Sequence, residues 1–314
     1  MGVEGRWPSL AYDIEVAGRI LGAAGHRRVA DWVDREVALV DNSDFANKFA
    51  AHVNLPGVAA LDYAHRIVRT RHGELLGGIR FYANNIERPD PVQMRSPSPR
   101  GFVDIVAHTF TDRTALAECV AGEWAKFSVS HLRLCGRPGS LAGEDVVLDG
   151  TVHVARYDQM APHDGRVRLV ALPDGDAAIR IVADRYAELA VLQPELANNV
   201  SPQDRDDLEQ FQRSNQLQGI EVDGIVVGVI AIAPGEIRWI TGDGIQEEVI
   251  STPYLGHSYA SSAQTAWSSR AANPEKLLMG TIDRHNHASR RTALRAGRPA
   301  VLEEVFVKLP RRMT

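Results

Sequence analysis

The chain has 314 residues, long enough for two ordinary domains and too long for most single cores. It is 44% hydrophobic and 24% charged, with 26 Gly and 16 Pro, the profile of a soluble mixed α/β protein. A net charge of −5 argues against a nucleic-acid-coating surface, and no apolar run approaches the roughly 20 residues of a membrane span.

Residues 1–30 carry Glu4, Asp13, Glu15 and scattered Arg, so no secretory signal is visible. Cys119 and Cys135 lack metal-ligand spacing, which leaves no metal expectation and makes a reducing cytoplasm the expected compartment. Apolar periodicity predicts two or three amphipathic helices over 12–51. Strands are predicted at His65–Thr70 and Leu75–Tyr82, around a turn at Arg71-His72-Gly73-Glu74. Residues 84–100, with Pro89, Pro91, Pro97 and Pro99, read as a loop. A strand at Phe102–Ala107, a helix at Thr111–Phe127, a strand at Val129–Cys135 and strand-like runs over 144–156 follow.

The break at Asp158–Gly165 divides the chain into expected domains at 1–160 and 161–314. The second begins with a strand at Arg166–Leu172 and the loop Pro173-Asp174-Gly175-Asp176, whose Asp can cap a helix from Ala177. A helix at Pro202–Gln216 and strands at Ile220–Glu221, Ile225–Ile232 and Glu236–Thr241 come next. Gly242-Asp243-Gly244 reads as a turn before a strand at Glu247–Thr252. A helix from Ser258 to about Arg270, a strand at Leu277–Ile282, a helix at Ala288–Ala296 and a strand at Leu302–Leu309 complete the pattern. Both halves therefore run helices, Gly-turned hairpin, strand, long helix, strand. Gly73 and Gly77 align with Gly224 and Gly228 across the hairpins, which suggests a tandem duplication.

Gly256-His257-Ser258-Tyr259-Ala260-Ser261 opens a helix directly after a strand. A helix start offers unpaired N–H groups and the positive end of the dipole, and small residues let an anion approach the backbone. Farther on, Asn286-His287-Ala288-Ser289 begins a helix that ends at Gly297. In that order and spacing the two motifs resemble those of the GCN5-related N-acetyltransferases, over roughly residues 166–309.

The resemblance implies an α/β (α+β) fold of two such domains, each a mixed, mostly antiparallel sheet flanked by helices. It implies an acyl-CoA, foremost acetyl-CoA, as co-substrate and direct acyl transfer to a small-molecule amine. By position, Gly256, His257, Ser258, Tyr259, Ala260 and Ser261 would hold the pyrophosphate, Val249 and Ile250 the pantetheine arm through their backbone, and Asn286 would lie beside that arm. Ser289 would stand near the thiolate leaving group. Glu247 or Glu248 is the candidate base, since strand alternation turns one of them toward the acceptor. The departures are Leu255 in place of an Arg or Gln, Ser258 in place of a Gly, Ala293 where many members carry a Tyr acid, and Arg298 in place of a Phe.

Two other readings stand beside it. One is a non-catalytic CoA-binding regulatory protein. The other is a serine hydrolase built on Gly256-x-Ser258-x-Ala260, against which Pro253 interrupts the approaching strand. His285-x-His287 has no further His/Cys cluster to complete a metal site. The first half carries Asp112 where a pyrophosphate would sit, so it is expected to have lost CoA binding and to complete the acceptor pocket.

Overall fold

Strands form where the sequence alternates or runs apolar, and the helices between them bury one stripe each. A computed structural model describes residues 2–40, 42–53, 65–81, 101–127, 129–172 and 175–310. The expected proline-rich loop over 84–100 and the Pro173-Asp174 cap lie outside those residues.

By its contacts the chain divides into two compact units, Met1–Asp149 with Leu302–Thr314, and Gly150–Val301. This differs from the break expected at 160, because one strand from each half of the chain pairs within the unit built mainly from the other half.

In the first unit, β1 (Arg66–Thr70) and β2 (Gly73–Phe81) form a hairpin, and β2 pairs antiparallel with β3 (Gly101–His108). β3 runs parallel to β4 (His131–Gly136), and β4 pairs antiparallel with β11 (Ala300–Lys308). The helices are α1 (Ala11–Leu21), α2 (Gly25–Val37), α3 (Ser43–Val53) and α4 (Arg113–Glu123). Leu116, Val120 and Trp124, from α4 and the residue that ends it, pack on Val103, Ile105, Leu132, Val305 and Val307. Arg133 of β4 clamps β3 by donating to both oxygens of Asp104, at 3.0 and 3.2 Å.

The second unit repeats that order. β6 (Arg168–Val170), β7 (Leu217–Val222), β8 (Ile225–Ile237) and β9 (Ile240–Ile250) are successively antiparallel, β10 (Leu277–Asp283) runs parallel to β9, and β5 (Val146–Arg156) pairs antiparallel with β10 from Gly150 to Arg156. One sheet face carries α5 (Gly175–Leu192) and α6 (Arg205–Arg213) over Val229, Ala231 and Val249. Asp204 caps α6 by accepting from Asp207 N–H at 2.9 Å. The other face carries α7 (Tyr259–Ser268) over Val227, Ile230, Ile232 and Leu278, followed in the chain by α8 (His287–Arg295).

Gly242-Asp243-Gly244, expected as a turn, lies inside β9, and the hairpin instead reverses at Arg238-Trp239, with Arg238 at φ 55°. Gly242 belongs in the strand because a Cβ there would lie 2.6 Å from the carbonyl oxygen of Leu277 on β10. Each unit also carries a one-residue bulge in the strand after its hairpin, at Val106 and at Gln246. In each, a hairpin glycine sits against the carbonyl of that same strand: a Cβ would meet Asp104 O at 2.5 Å from Gly77, and Val249 O at 2.3 Å from Gly228. Gly228→Ala is therefore expected to cost about 3 kcal/mol, since a ladder carbonyl cannot step aside. Gly18→Ala, in an open stretch of α1, is expected to stabilise by about 0.5–1 kcal/mol. Urea denaturation midpoints of the two variants check both signs.

Candidate functional site

β9 and β10 are paired only at Asp243–Leu278 and Gly244–Met279. Beyond Gly244, β9 keeps its ladder with β8 as far as Ile250 but has no register with β10, so the two strands part. The Gln246 bulge lies where they separate and adds local bend and twist. The result is a wedge, one wall of which is strand backbone without a β10 partner and only partly taken up by side chains, which an extended ligand can approach as a strand would. Val249 and Ile250 lie on that strand with their side chains committed to opposite cores, and the Val249 carbonyl is turned to β8 against Gly228, so of the two only the Ile250 backbone is turned to the wedge.

From the open end of the wedge the chain passes through one 3-10 turn, Thr252–Tyr254, into Gly256-His257-Ser258 and α7. Gly256 has φ +85° and Ser258 φ 63°, so the turn is left-handed at two of its three residues. No side chain caps α7 and its first turn holds no acid. The amides from Gly256 to Ser261 have no partner among the described residues, and the first returning bond is Ser262 N–H to Ser258 O. The start of α4 in the first unit is closed instead, because Asp112 accepts from Thr114 N–H at 2.9 Å. An anion is therefore favoured at α7 and disfavoured at α4.

Two arginines fix this turn. Arg166 donates to His257 O and to Ser262 Oγ, both at 2.8 Å, and is itself held by Asp164 at 2.8 Å. Arg295 on α8 donates to Ser258 Oγ at 2.7 Å. Nothing in the local sequence pattern marks Arg166. It opens the first strand expected in the second domain, and its hold on the turn becomes visible only once the chain before β6 lies near α7.

Glu247 and Glu248 point to opposite faces, as strand alternation requires. Glu247 (5% exposed) faces α5 and accepts from Tyr186 Oη at 3.3 Å, Gln203 N–H at 3.1 Å and Glu248 N–H at 3.2 Å. Burial raises its pKa and these three donors oppose the rise. Gln203 also donates to the carbonyl of the bulge residue Gln246 at 3.0 Å, so Glu247 and the bulge together tie the segment before α6 to the sheet.

Glu248 faces α7. Gln264 Nε2 donates to both of its oxygens, at 3.0 and 2.8 Å, and Gln264 Oε1 accepts from Arg298 Nε at 3.0 Å. Gln264 is 1% exposed and Arg298 2%. Burial pushes the Glu248 carboxyl up to about 7, against the opposing pull of Arg298 and Gln264. Burial likewise lowers Arg298 to about 10. A carboxyl poised near neutrality beside the wedge can exchange a proton at physiological pH. Sequence reasoning missed Gln264 and recorded Arg298 only as a departure. The available signal was chemical: an Arg entering a β-strand and a Gln in a helix of small buried residues both need polar partners.

The other wall of the wedge is β10, which leads into α8. Asn286 caps α8 by accepting from Ser289 N–H at 3.0 Å. The Ser289 hydroxyl has no hydrogen-bond partner among the described residues, and no contact joins it to Glu247 or Glu248. Ala293, at the position of the expected acid, is fully buried. His285 accepts from Arg284 at 2.8 Å and His287 lies 2.7 Å from Arg290, so both imidazoles face arginines. Among the described residues no three His, Cys, Asp or Glu side chains gather in a metal-binding group. Ser258, the nucleophile of the hydrolase reading, is bonded through Oγ to an arginine, which is always charged and accepts no proton.

No protein-family model matches the sequence, and no curated protein matches it. The fold is similar to several solved structures at low identity. A GNAT-family acetyltransferase from Colwellia psychrerythraea is 9% identical, with 85% of this chain and 97% of that chain covered and a TM-score of 0.47. A GCN5-related N-acetyltransferase from Sphaerobacter thermophilus is 10% identical, covering 90% and 93%, with a TM-score of 0.48. A tandem GNAT protein from the clavulanic acid biosynthesis pathway is 11% identical, covering 87% and 97%, with a TM-score of 0.37.

Proposed function

We propose that the second unit is an acyl-CoA-dependent N-acyltransferase site, with acetyl-CoA as the foremost donor and an amine of a small molecule as acceptor. The observation that carries this reading is the uncapped amide run from Gly256 to Ser261, continuous with the stretch of β9 that has no register with β10. A ligand with a diphosphate and an extended amide-bearing arm matches both parts, one by anion binding and the other by strand-like pairing.

In this reading the Gly256–Ser261 backbone holds the diphosphate, with Arg295 beside it. The backbone of Ile250 pairs with the arm, while that of its neighbour Val249 is held in the β8 ladder, and this orients the thioester in the wedge. Glu248 takes a proton from the acceptor ammonium, directly or through water, so that the neutral amine attacks the thioester carbon, and Gln264 fixes the Glu248 carboxylate plane. Glu247 holds the Gln203 segment over the opposite face. The Ser289 hydroxyl is available to donate to the departing thiolate. The first unit, a fold of the same plan with its helix start closed by Asp112, binds no CoA.

The experiment places in the second unit the cap that the first already has. Ser258→Asp is expected to weaken acetyl-CoA binding, measured by calorimetry, at least tenfold, whereas Ser258→Gly retains it. Equal affinity in both variants sinks the assignment. Buried Ala293 favours a second reading, a CoA-binding protein without turnover. Thiol release from acetyl-CoA across a panel of amines separates the two: tight binding with no release above the buffer rate leaves the second.

A further inference from the structure

At the far end of α7 from the Gly256–Ser258 turn lies a cavity of about 420 Å³, lined by Tyr157, Gln218, Asp243, Trp267, Arg270 and Lys276 among others. It belongs wholly to the second unit. The ten residues of α7 span ~15 Å and separate it from the anion-favouring turn. Asp243 is also where β9 and β10 still pair, so the cavity lies at the closed base of the wedge.

The floor is a completed hydrogen-bond chain. Trp267 Nε1 donates to Tyr157 Oη at 3.1 Å, Tyr157 donates to Asp243 Oδ2 at 2.7 Å, and Asp243 Oδ1 pairs with Lys276 Nζ at 2.6 Å. Tyr157 is 6% exposed, and burial together with Asp243 raises its phenol well above the ordinary range, so it stays neutral. None of these groups is needed by the transfer site described above.

What the chain leaves over faces the cavity. An ammonium has three donors, and the structure uses one of those of Lys276 on Asp243. Arg270 spends Nη2 on Leu169 O at 3.0 Å and keeps further N–H groups. Gln218 gives its amide to Asn215 Oδ1 at 2.9 Å. The charged lining is two cations, Arg270 and Lys276, against one carboxylate, Asp243, a net of +1. The indole of Trp267 supplies a flat wall, with Ala271 and Ala272 on the same lining. A pocket of this size, with an aromatic wall and a few convergent donors, suits a small ligand.

The geometry points to a second ligand site here, for a small aromatic monocarboxylate. The carboxylate is received by Lys276 and Arg270, and the ring lies against Trp267. The Tyr157–Asp243 pair holds the Lys276 ammonium in place for it. This site stands independently of the acyl-transfer reading.

Calorimetric titration of the full chain tests it, with benzoate, cyclohexanecarboxylate and benzylamine as probes. Benzoate is expected to bind saturably at one site and cyclohexanecarboxylate several-fold more weakly, with no uptake of benzylamine. Lys276→Met and Arg270→Met are each expected to weaken benzoate about tenfold. Acetyl-CoA affinity should be unchanged in both variants, which separates this site from the wedge. The proposal is overturned if benzoate shows no saturable binding, if benzylamine binds as well as benzoate, or if both variants retain wild-type affinity.

Discussion

Glu248→Gln is expected to lower kcat for amine-dependent thiol release by about 10²–10³-fold while acetyl-CoA affinity stays within a factor of two, the size of effect usual for a general base. The substitution keeps the shape of the side chain and its place beside Gln264, but removes the lone pair that takes the proton. In the wild type the carboxyl must be ionised to act. Because burial pushes it up to about 7, kcat/KM should rise through pH 7 and level above it. In Glu248→Gln that rise is absent. The same shift has a stability consequence with a fixed sign. The folded chain holds this proton more tightly than the unfolded chain, whose carboxyl has the ordinary value of 4.5, so stability falls as pH climbs from there toward 7. Glu248→Gln removes that slope. A full-activity Glu248→Gln with a wild-type profile moves the role elsewhere, and Glu247→Gln is then the next variant to measure.

Arg298→Met should be the most destabilising single change in the site, at about 3 kcal/mol by denaturant midpoint, because Arg298 is buried and its guanidinium supplies the donor to His153 O. It also removes the donor to Gln264 Oε1, which then has no partner in a buried setting. The diagnostic readout is the pH profile. Arg298 pulls Glu248 downward, so without it the midpoint of the rise in kcat/KM should move above 7. A role confined to packing predicts the stability loss with no movement of that midpoint. Arg298→Lys, which restores charge without the planar fork, should return the midpoint toward wild type and recover stability only in part.

Much of the fold was legible in the sequence because the signals are local. Hairpins at Gly73 and Gly224, the helix opening after Ser258 and the strand at Leu277 all follow from turn residues and periodicity. Gly242-Asp243-Gly244 misled because the same glycine that permits a turn also permits close strand approach, and only the position of Leu277 decides between them. Within the candidate site, Glu247 and Glu248 were singled out by strand alternation, and the turn at Gly256–Ser261 by helix-terminus chemistry. Gln264, Arg298 and Arg166 were not, because each acts on a residue far along the chain: Arg298 is 34 positions from Gln264, and Arg166 is 91 from His257. The cavity at Tyr157 is of the same kind, with Tyr157 and Asp243 86 positions apart. A sequence period says which face a residue occupies, not which partner meets it there.

The pairing of β11 with β4 sets an order of events during synthesis. Arg133 and Glu304, joined at 3.4 Å across that pairing, are 171 positions apart. On a ribosome, β4 is complete long before its neighbour emerges, and it waits as an open edge while the whole second unit is made. An exposed strand edge with apolar Leu132 and Leu134 invites pairing with other chains for that interval. The first-synthesised unit is therefore the last able to close, and the time that edge stays open adds a kinetic hazard separate from the stability of the finished protein.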